Sequence, residues 1–453
     1  MKKKYSLRGF TGLYASLLLT ALLHSVAAFP QQIKTSGENI LRGAVKMHNN
    51  RPTIYVNEKP VTPLIYGLVD RRFSWADTVQ ENIEKFGRDA DIKLIQVDLF
   101  LDNIWRPDGS ITLDTTLRQI GGVLNVIPDA GIFIRLHVNA PRWWQARHPE
   151  ESIDYGNTQA TGKGVYEQTW MRDDLSNTSR FSLASEKWRA SASDAVQRFC
   201  KKLAGTREGN ALIGIQVACG VYGEWHYFGF LENDPDLSQP MTDYFRRWLK
   251  KKYKTDGALR KAWGKNDVSL ASAKVPGTEA RNFTRFGVFR DPGTERNVID
   301  YFEAQHTVVA EDILHFCKVV KKSWPRPIIT GSFYGYFYSL FTREAAGGHL
   351  AIDAVLRSPY IDFLAGPQAY YPAPEATGDP YRSRGLLESV RLNGKLWLEE
   401  MDQEPPFFNK KNENNYSGSV KESIALTRRN MMFTATKGMG MWFYDFGLPS
   451  GSG

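Results

Sequence analysis

Two rhythms of apolar and polar residues divide the chain. The stretch "RPTIYVNEKPVTPLIYG" alternates strictly, with a polar turn at "NEK", and predicts a hairpin inside a short β-rich lead-in over 29–62. From residue 63 the pattern changes. Short apolar runs at 63–70, 92–100, 131–139, 212–219, 326–333, 361–370, 395–402 and 438–446 predict strands buried on both faces. Amphipathic stretches fill the gaps, as at 76–90, 116–130, 185–205 and 310–324. Strands and helices in that alternation predict an α/β fold, a (β/α)8 TIM barrel over 63–453. A doubly wound open sheet would want a glycine-rich phosphate loop after the first strand, and "YGLVDRRFSW" has none.

The connection from the fourth to the fifth strand, about 230–310, is longer than one helix needs. It contains "YFRRWLKKKYKTDGALRKAWG", read as two helices joined by a Gly turn, a helical insertion near the barrel mouth. The chain ends on "GLPSGSG" after the eighth strand, with no closing helix. The sequence is then expected to be a fragment, or the lead-in to cover that side. Residues 1–28 have a basic start, the apolar run "LYASLLLTALL" and small residues ending at Ala28, which predicts a secretory signal and an exported, periplasmic or extracellular chain. No other run suggests a membrane span.

The formal charge of +9 is spread along solvated helix faces such as "RRWLKKKYK", and no nucleic-acid motif accompanies it. Cys200, Cys219 and Cys317 have no metal-ligand spacing, and the sequence does not decide whether any two pair. Aromatic residues make up 13 % of the chain, a level that suits sugar stacking as well as a large core.

Chemistry concentrates where the strands end, the face on which barrels of this kind build their sites. Asp70 and Arg71, Asp98 and Asp102, His137 and Asn139, Glu224, Tyr334, Gln368 with Tyr370 and Tyr371, Glu399, Glu400 and Asp402, and Trp442, Tyr444 and Asp445 follow successive strands. Glu224 lies among Tyr222, Trp225, His226, Tyr227 and Phe228, surroundings that a charged group rarely enters without a partner or a task. Its fourth-strand position faces Glu400, at the end of the seventh, across the mouth. Two carboxylates about 5–5.5 Å apart suit retaining glycoside hydrolysis, one as acid/base and one as nucleophile. Glu224 in its apolar setting fits the acid/base and Glu400 the nucleophile; the bland reading ties Glu224 to an Arg or to His226. Glu399 competes with Glu400, because successive strand residues face opposite ways and only one can enter the mouth.

Three stretches resemble the catalytic barrel of family 42 glycoside hydrolases. "FRRWLKKKYKTDGALRKAWGKNDVSLASAKVP" (245–276) is similar to that family's segment after the acid/base strand. "GKLWLEEMDQEP" (394–405) is similar to its nucleophile strand, where a Trp precedes the Glu by three residues; that register selects Glu400. "GMGMWFYDFG" (438–447) is similar to its eighth strand. The resemblance implies a retaining β-glycoside hydrolase, β-galactosidase-like, with no cofactor. The chain departs from the family at the acid/base strand. The family's Asn-Glu is replaced by Cys219 and Gly220, and Glu224 is reached only through a short insertion. Another β-linked sugar of a plant or algal polysaccharide is therefore an equal expectation.

Trp143 and Trp144, in "NAPRWWQARHP", are expected either to form a stacking platform or to pack within the loop. His137, Asn139, Gln368, Tyr370, Asp402 and Trp442 are the remaining candidates for holding an oligo- or polysaccharide. The competing readings are a non-catalytic carbohydrate-binding barrel and an inverting or transglycosylating relative.

Overall fold

Buried strands need a way to use every backbone hydrogen bond without an exposed edge, and a closed barrel supplies it. The computed structural model describes residues 40–68, 77–156, 180–230, 234–287, 289–337, 347–369, 377–403 and 419–445. Eight parallel strands close in the order β10-β11-β4-β5-β6-β7-β8-β9. They are β4 (Leu64–Leu68), β5 (Leu94–Phe100), β6 (Gly131–His137), β7 (Leu212–Ala218), β8 (Ile329–Phe333), β9 (Phe363–Pro367), β10 (Leu396–Met401) and β11 (Gly440–Tyr444). Each falls inside one of the eight runs read from the sequence, and every residue of β6 and β7 is buried. The expected signal segment, and Asp70, Arg71, Tyr370 and Tyr371, lie outside the described residues.

The lead-in forms an antiparallel sheet, β1 (Gly43–His48), β2 (Arg51–Val56) and β3 (Lys59–Val61). Its turns use left-handed pairs, Asn49-Asn50 (φ 50 and 63) and Asn57-Glu58 (φ 46 and 66), which match the twist of a two-residue hairpin. The sheet sits on the floor of the barrel. Leu41 N–H donates to Asn210 and Gly43 N–H to Pro327, residues just ahead of β7 and β8. Ile54 is 1 % exposed and packs with Ile65, Leu94, Ile213 and Leu396. Burying it is worth about 2 kcal/mol. The lead-in thus covers the end opposite the strand C-termini, and Arg51 also reaches the Ala435 carbonyl near the end of the helix Val420–Lys437.

The helices are α1 (Asp77–Glu84), α2 (Asp114–Val126), α3 (Glu186–Leu203), α4 (Gln239–Tyr253), α5 (Asp256–Trp263), α6 (Arg296–Ser323), α7 (Leu387–Leu392) and α8 (Val420–Lys437), with shorter turns between. Two expectations need correction. The α4–α5 turn is not made by glycine: Lys254 takes the left-handed conformation (φ 67), Thr255 caps α5 by accepting the Ala258 N–H, and Gly257 lies within the helix. And α6 begins fourteen residues before the stretch 310–324. Its first half carries buried polar residues that break the amphipathic pattern. Asp300 is fully buried and accepts from Lys252, Tyr253, Trp263 and Arg296, fastening α4 and α5 onto α6. Cys200, Cys219 and Cys317 are buried and form no disulfide. Among the described residues no helix is long and apolar enough to cross a membrane.

Candidate active site

The strand period decides which side chains enter the barrel. On β10, Leu396 and Leu398 join the interior cluster, so Glu400 continues that face. Trp397 and Glu399 face the other way. Glu399 is fully buried and accepts hydrogen bonds from Tyr381, Ser383 and Trp397. Burial pushes its carboxyl up to about 7 against those three donors. Between pH 4.5 and about 7 the unfolded chain ionises at this residue while the folded chain keeps the proton, so stability is lost as pH rises through that window. Glu399→Gln is expected to flatten the pH dependence of the unfolding free energy by about 3 kcal/mol between pH 5 and 8, read by denaturant titration at a series of pH values.

Glu224 reaches the mouth on a tight loop after β7. Gly220 and Gly223 (both φ 72) take conformations that other residues resist, and Tyr222 (φ 54) and Trp225 (φ 61) join them. Left-handed non-glycine residues clustered on one loop carry backbone strain. The loop is closed by Glu224 N–H donating to Val221 (2.9 Å), Trp225 N–H to Cys219 (2.6 Å) and the Trp225 indole to Val217 (3.1 Å). Gly223 rests on β6: a Cβ there would lie 2.6 Å from His137 and 3.0 Å from Arg135, so only glycine lets the loop down this far.

Arg135 and His137 share the interior face with Phe133. The Arg135 guanidinium donates to the Tyr222 carbonyl, lies 3.8 Å from Asp98 and covers the Phe333 ring at 5.0 Å. Arg384, 2 % exposed, enters from the connection between β9 and α7 and lies over Tyr336 at 5.7 Å. Both arginines act on both Glu224 and Glu400. The two carboxylates also act on one another, and the Tyr336 hydroxyl is beside the pair. Burial raises each above the ordinary range; for Glu400 the charge of Glu224 adds to it, and the arginines oppose it in both. Like charges that act on one another disfavour ionising both, so the two carboxyls titrate as a pair. His226 is not the ion partner of Glu224. Its Nε2 is 3.7 Å away, but burial pushes the imidazole down to about 3, so it is neutral.

The other expected residues separate. His137 is buried, stacked on Phe100 at 4.1 Å, with Nε2 3.5 Å from Asp98. Asn139 is half-buried, and its Oδ1 meets no donor among the described residues. Asp402 follows Glu400 past the strand end and is half-buried. Trp442 pairs with Glu400 in the β10–β11 register and lies edge-on to Phe333 at 5.6 Å inside the barrel. Of the two expectations for Trp143 and Trp144, the contacts are those of loop packing. Trp144 is 2 % exposed in the outer core, and Trp143 donates its indole N–H to Trp105 while Arg147 covers its ring at 4.9 Å. Gln368 accepts from Asn430 on α8 (3.1 Å), so its carboxamide serves the seam between sheet and helix instead of the mouth.

Arg135, Tyr336, Arg384 and His349 were missed. Arg135 left one signal, a charge in the middle of the apolar run "GIFIRLHVN". The others lie on connections whose paths no periodicity sets. Among the described residues no group of acidic, His or Cys side chains could hold a metal ion.

No protein-family profile and no curated protein matches the sequence. Solved structures do. The catalytic domain of β-amylase from Paenibacillus polymyxa superposes with a TM-score of 0.60 at 12 % identity, over 84 % of this chain and 92 % of that one. The β-galactosidase of Bacillus circulans sp. alkalophilus gives 0.55 at 13 %, over 85 % of this chain and 51 % of that one. The apo exo-carrageenase GH42 of Bacteroides ovatus gives 0.52 at 14 %, over 95 % and 52 %. The chain spans about half the length of the latter two. It has the TIM-barrel fold of these glycoside hydrolases.

Proposed function

We propose that the chain is an exported retaining β-glycoside hydrolase, β-galactosidase-like in its chemistry and acting on an oligo- or polysaccharide. One observation carries this reading: Glu400, buried at the end of β10, and Glu224, partly buried on the loop after β7, act on one another, and Arg135 and Arg384 act on both. One proton on the pair makes one of them an acid and the other a base, the two forms that double displacement uses in turn. Glu400 is held by a strand on the interior face of the barrel, which suits attack on an anomeric carbon. Glu224 is on the loop at the rim, where it can protonate the leaving oxygen and then take a proton from water. Tyr336 and the two guanidiniums stabilise the charge that moves between them. Trp442, His137 and Asn139 are the side chains this reading assigns to the sugar ring. The likeness to a solved β-galactosidase barrel supports a β-linked substrate.

Aryl β-glycosides offered to the mature protein are expected to release the phenol, with the β-anomer of the sugar formed first in proton NMR. The α-anomer appearing first would replace the mechanism with inversion. Saturable oligosaccharide binding without release over days would leave a binding barrel.

A further inference from the structure

Behind the carboxylate pair lie two histidines that proton transfer does not use. His226 and His349 stack with ring centroids 4.0 Å apart and 14° between planes. His349 also packs on Tyr334 (4.8 Å) and Tyr336 (4.6 Å). Its Nε2 is 2.7 Å from the Glu224 carbonyl oxygen, and its Nδ1 is 3.3 Å from the Tyr336 backbone nitrogen. An N–H can only donate, so Nδ1 accepts from Tyr336. A carbonyl can only accept, so Nε2 carries the proton and donates to Glu224. The neutral Nε2–H tautomer alone satisfies both.

The segment that carries His349 is itself fixed. Leu350 N–H donates to His306 Nδ1 (3.1 Å), Ala351 N–H to the Tyr334 hydroxyl (3.2 Å), and that hydroxyl to Gly348 (3.2 Å). His306 belongs to α6, so the tie runs from the helical layer to the rim of the barrel. The ionisable groups around it are Glu224, Arg384, His226, His306, Tyr334 and Tyr336. Burial, then His226, keeps His349 well below the usual imidazole range.

We propose that His349 is a positioning residue: one uncharged imidazole ties the main chain of Glu224 to that of Tyr336, and so sets the separation of the two carboxylates. The inference rests on the reading of Glu224 and Glu400 as the working pair. Without the tie, the loop of left-handed residues between Gly220 and Trp225 has one anchor fewer, and the pair can move apart. Displacements of an ångström at reacting groups cost on the order of a hundredfold in rate.

The test is a carbon NMR titration of protein labelled at its glutamate carboxyls, with the pair's signals identified by their loss in Glu224→Gln and Glu400→Gln. His349→Phe keeps the ring stack and removes both nitrogens. The pair's shared titration is expected to move toward the ordinary carboxylate range by about one unit, with turnover down about a hundredfold. His349→Gln, which restores a donor near Nε2, is expected to keep the titration in place and to recover turnover to within about tenfold of wild type. Unchanged titration and turnover in a folded His349→Phe overturn the proposal. If His349→Phe does not fold, a titration displaced to the ordinary range in His349→Gln overturns it equally. Turnover surviving in Glu400→Gln would count against the hydrolase reading alone, because the carboxyl titration needs no substrate.

Discussion

Glu400→Gln is expected to lower turnover of an aryl β-glycoside by roughly 10⁴- to 10⁶-fold while the protein stays folded. The amide is isosteric and cannot form the glycosyl-enzyme. It also removes the negative charge that helps hold a proton on the pair, so the remaining Glu224 loses a neighbour that raises its pKa. Glu400→Ala with azide separates the roles. Azide attacks the anomeric carbon from the vacated face as the aryl oxide leaves, giving a glycosyl azide of inverted configuration. Glu224→Gln is expected to behave differently, losing least on phenols acidic enough to depart without a proton. Equal losses in both variants for every leaving group, or no loss in Glu400→Gln, would remove the assignment. Glu399→Gln is the internal comparison, since Glu399 faces Tyr381, Ser383 and Trp397 on the other side of the strand.

Arg384→Met is expected to cost about 3–5 kcal/mol of stability near pH 8 and clearly less near pH 5. Arg384 is buried and opposes the burial penalty of Glu224, Glu399 and Glu400 together. Its removal leaves carboxylates in a poorly solvating interior with Arg135 alone to balance the pair. Their folded-state values then rise further above those of the unfolded chain. Stability is retained where both states are protonated and is lost as pH climbs. Lysine at this position returns the charge without the planar fork and is expected to recover part of the loss. Denaturant unfolding at pH 5, 6.5 and 8 measures it. A loss independent of pH would mean that Arg384 acts by packing over Tyr336 instead of by charge.

Much of the molecule was legible in order. The eight apolar runs gave the barrel strands because strands buried on both faces must be apolar along their length. Interruptions that carried polar meaning were less legible. The first half of α6 was passed over because Asp300, Gln305 and His306 are buried there, and a buried polar residue looks like an exposed one until its partners are known. The double tryptophan was left open between platform and loop packing for a related reason. Trp143's partners, Trp105 and Arg147, come from a separate turn and from the end of the short helix Arg142–Arg147, so composition alone could not show how the rings would pack.

The sequence by itself determined the barrel, the strand ends on which chemistry would be found, and Glu224 and Glu400 as the acidic pair worth testing. Those follow from local periodicity and from charges set against apolar neighbours, which need no knowledge of what lies across the fold. Only the tertiary structure decided that Glu399 turns outward, that Arg135 and Arg384 stand by both carboxylates, and that His349 ties Glu224 to Tyr336. Charge interactions and hydrogen bonds act over a few ångströms of space regardless of separation along the chain. Closure of the barrel brings residues 135, 224, 336, 349, 384 and 400 within that range.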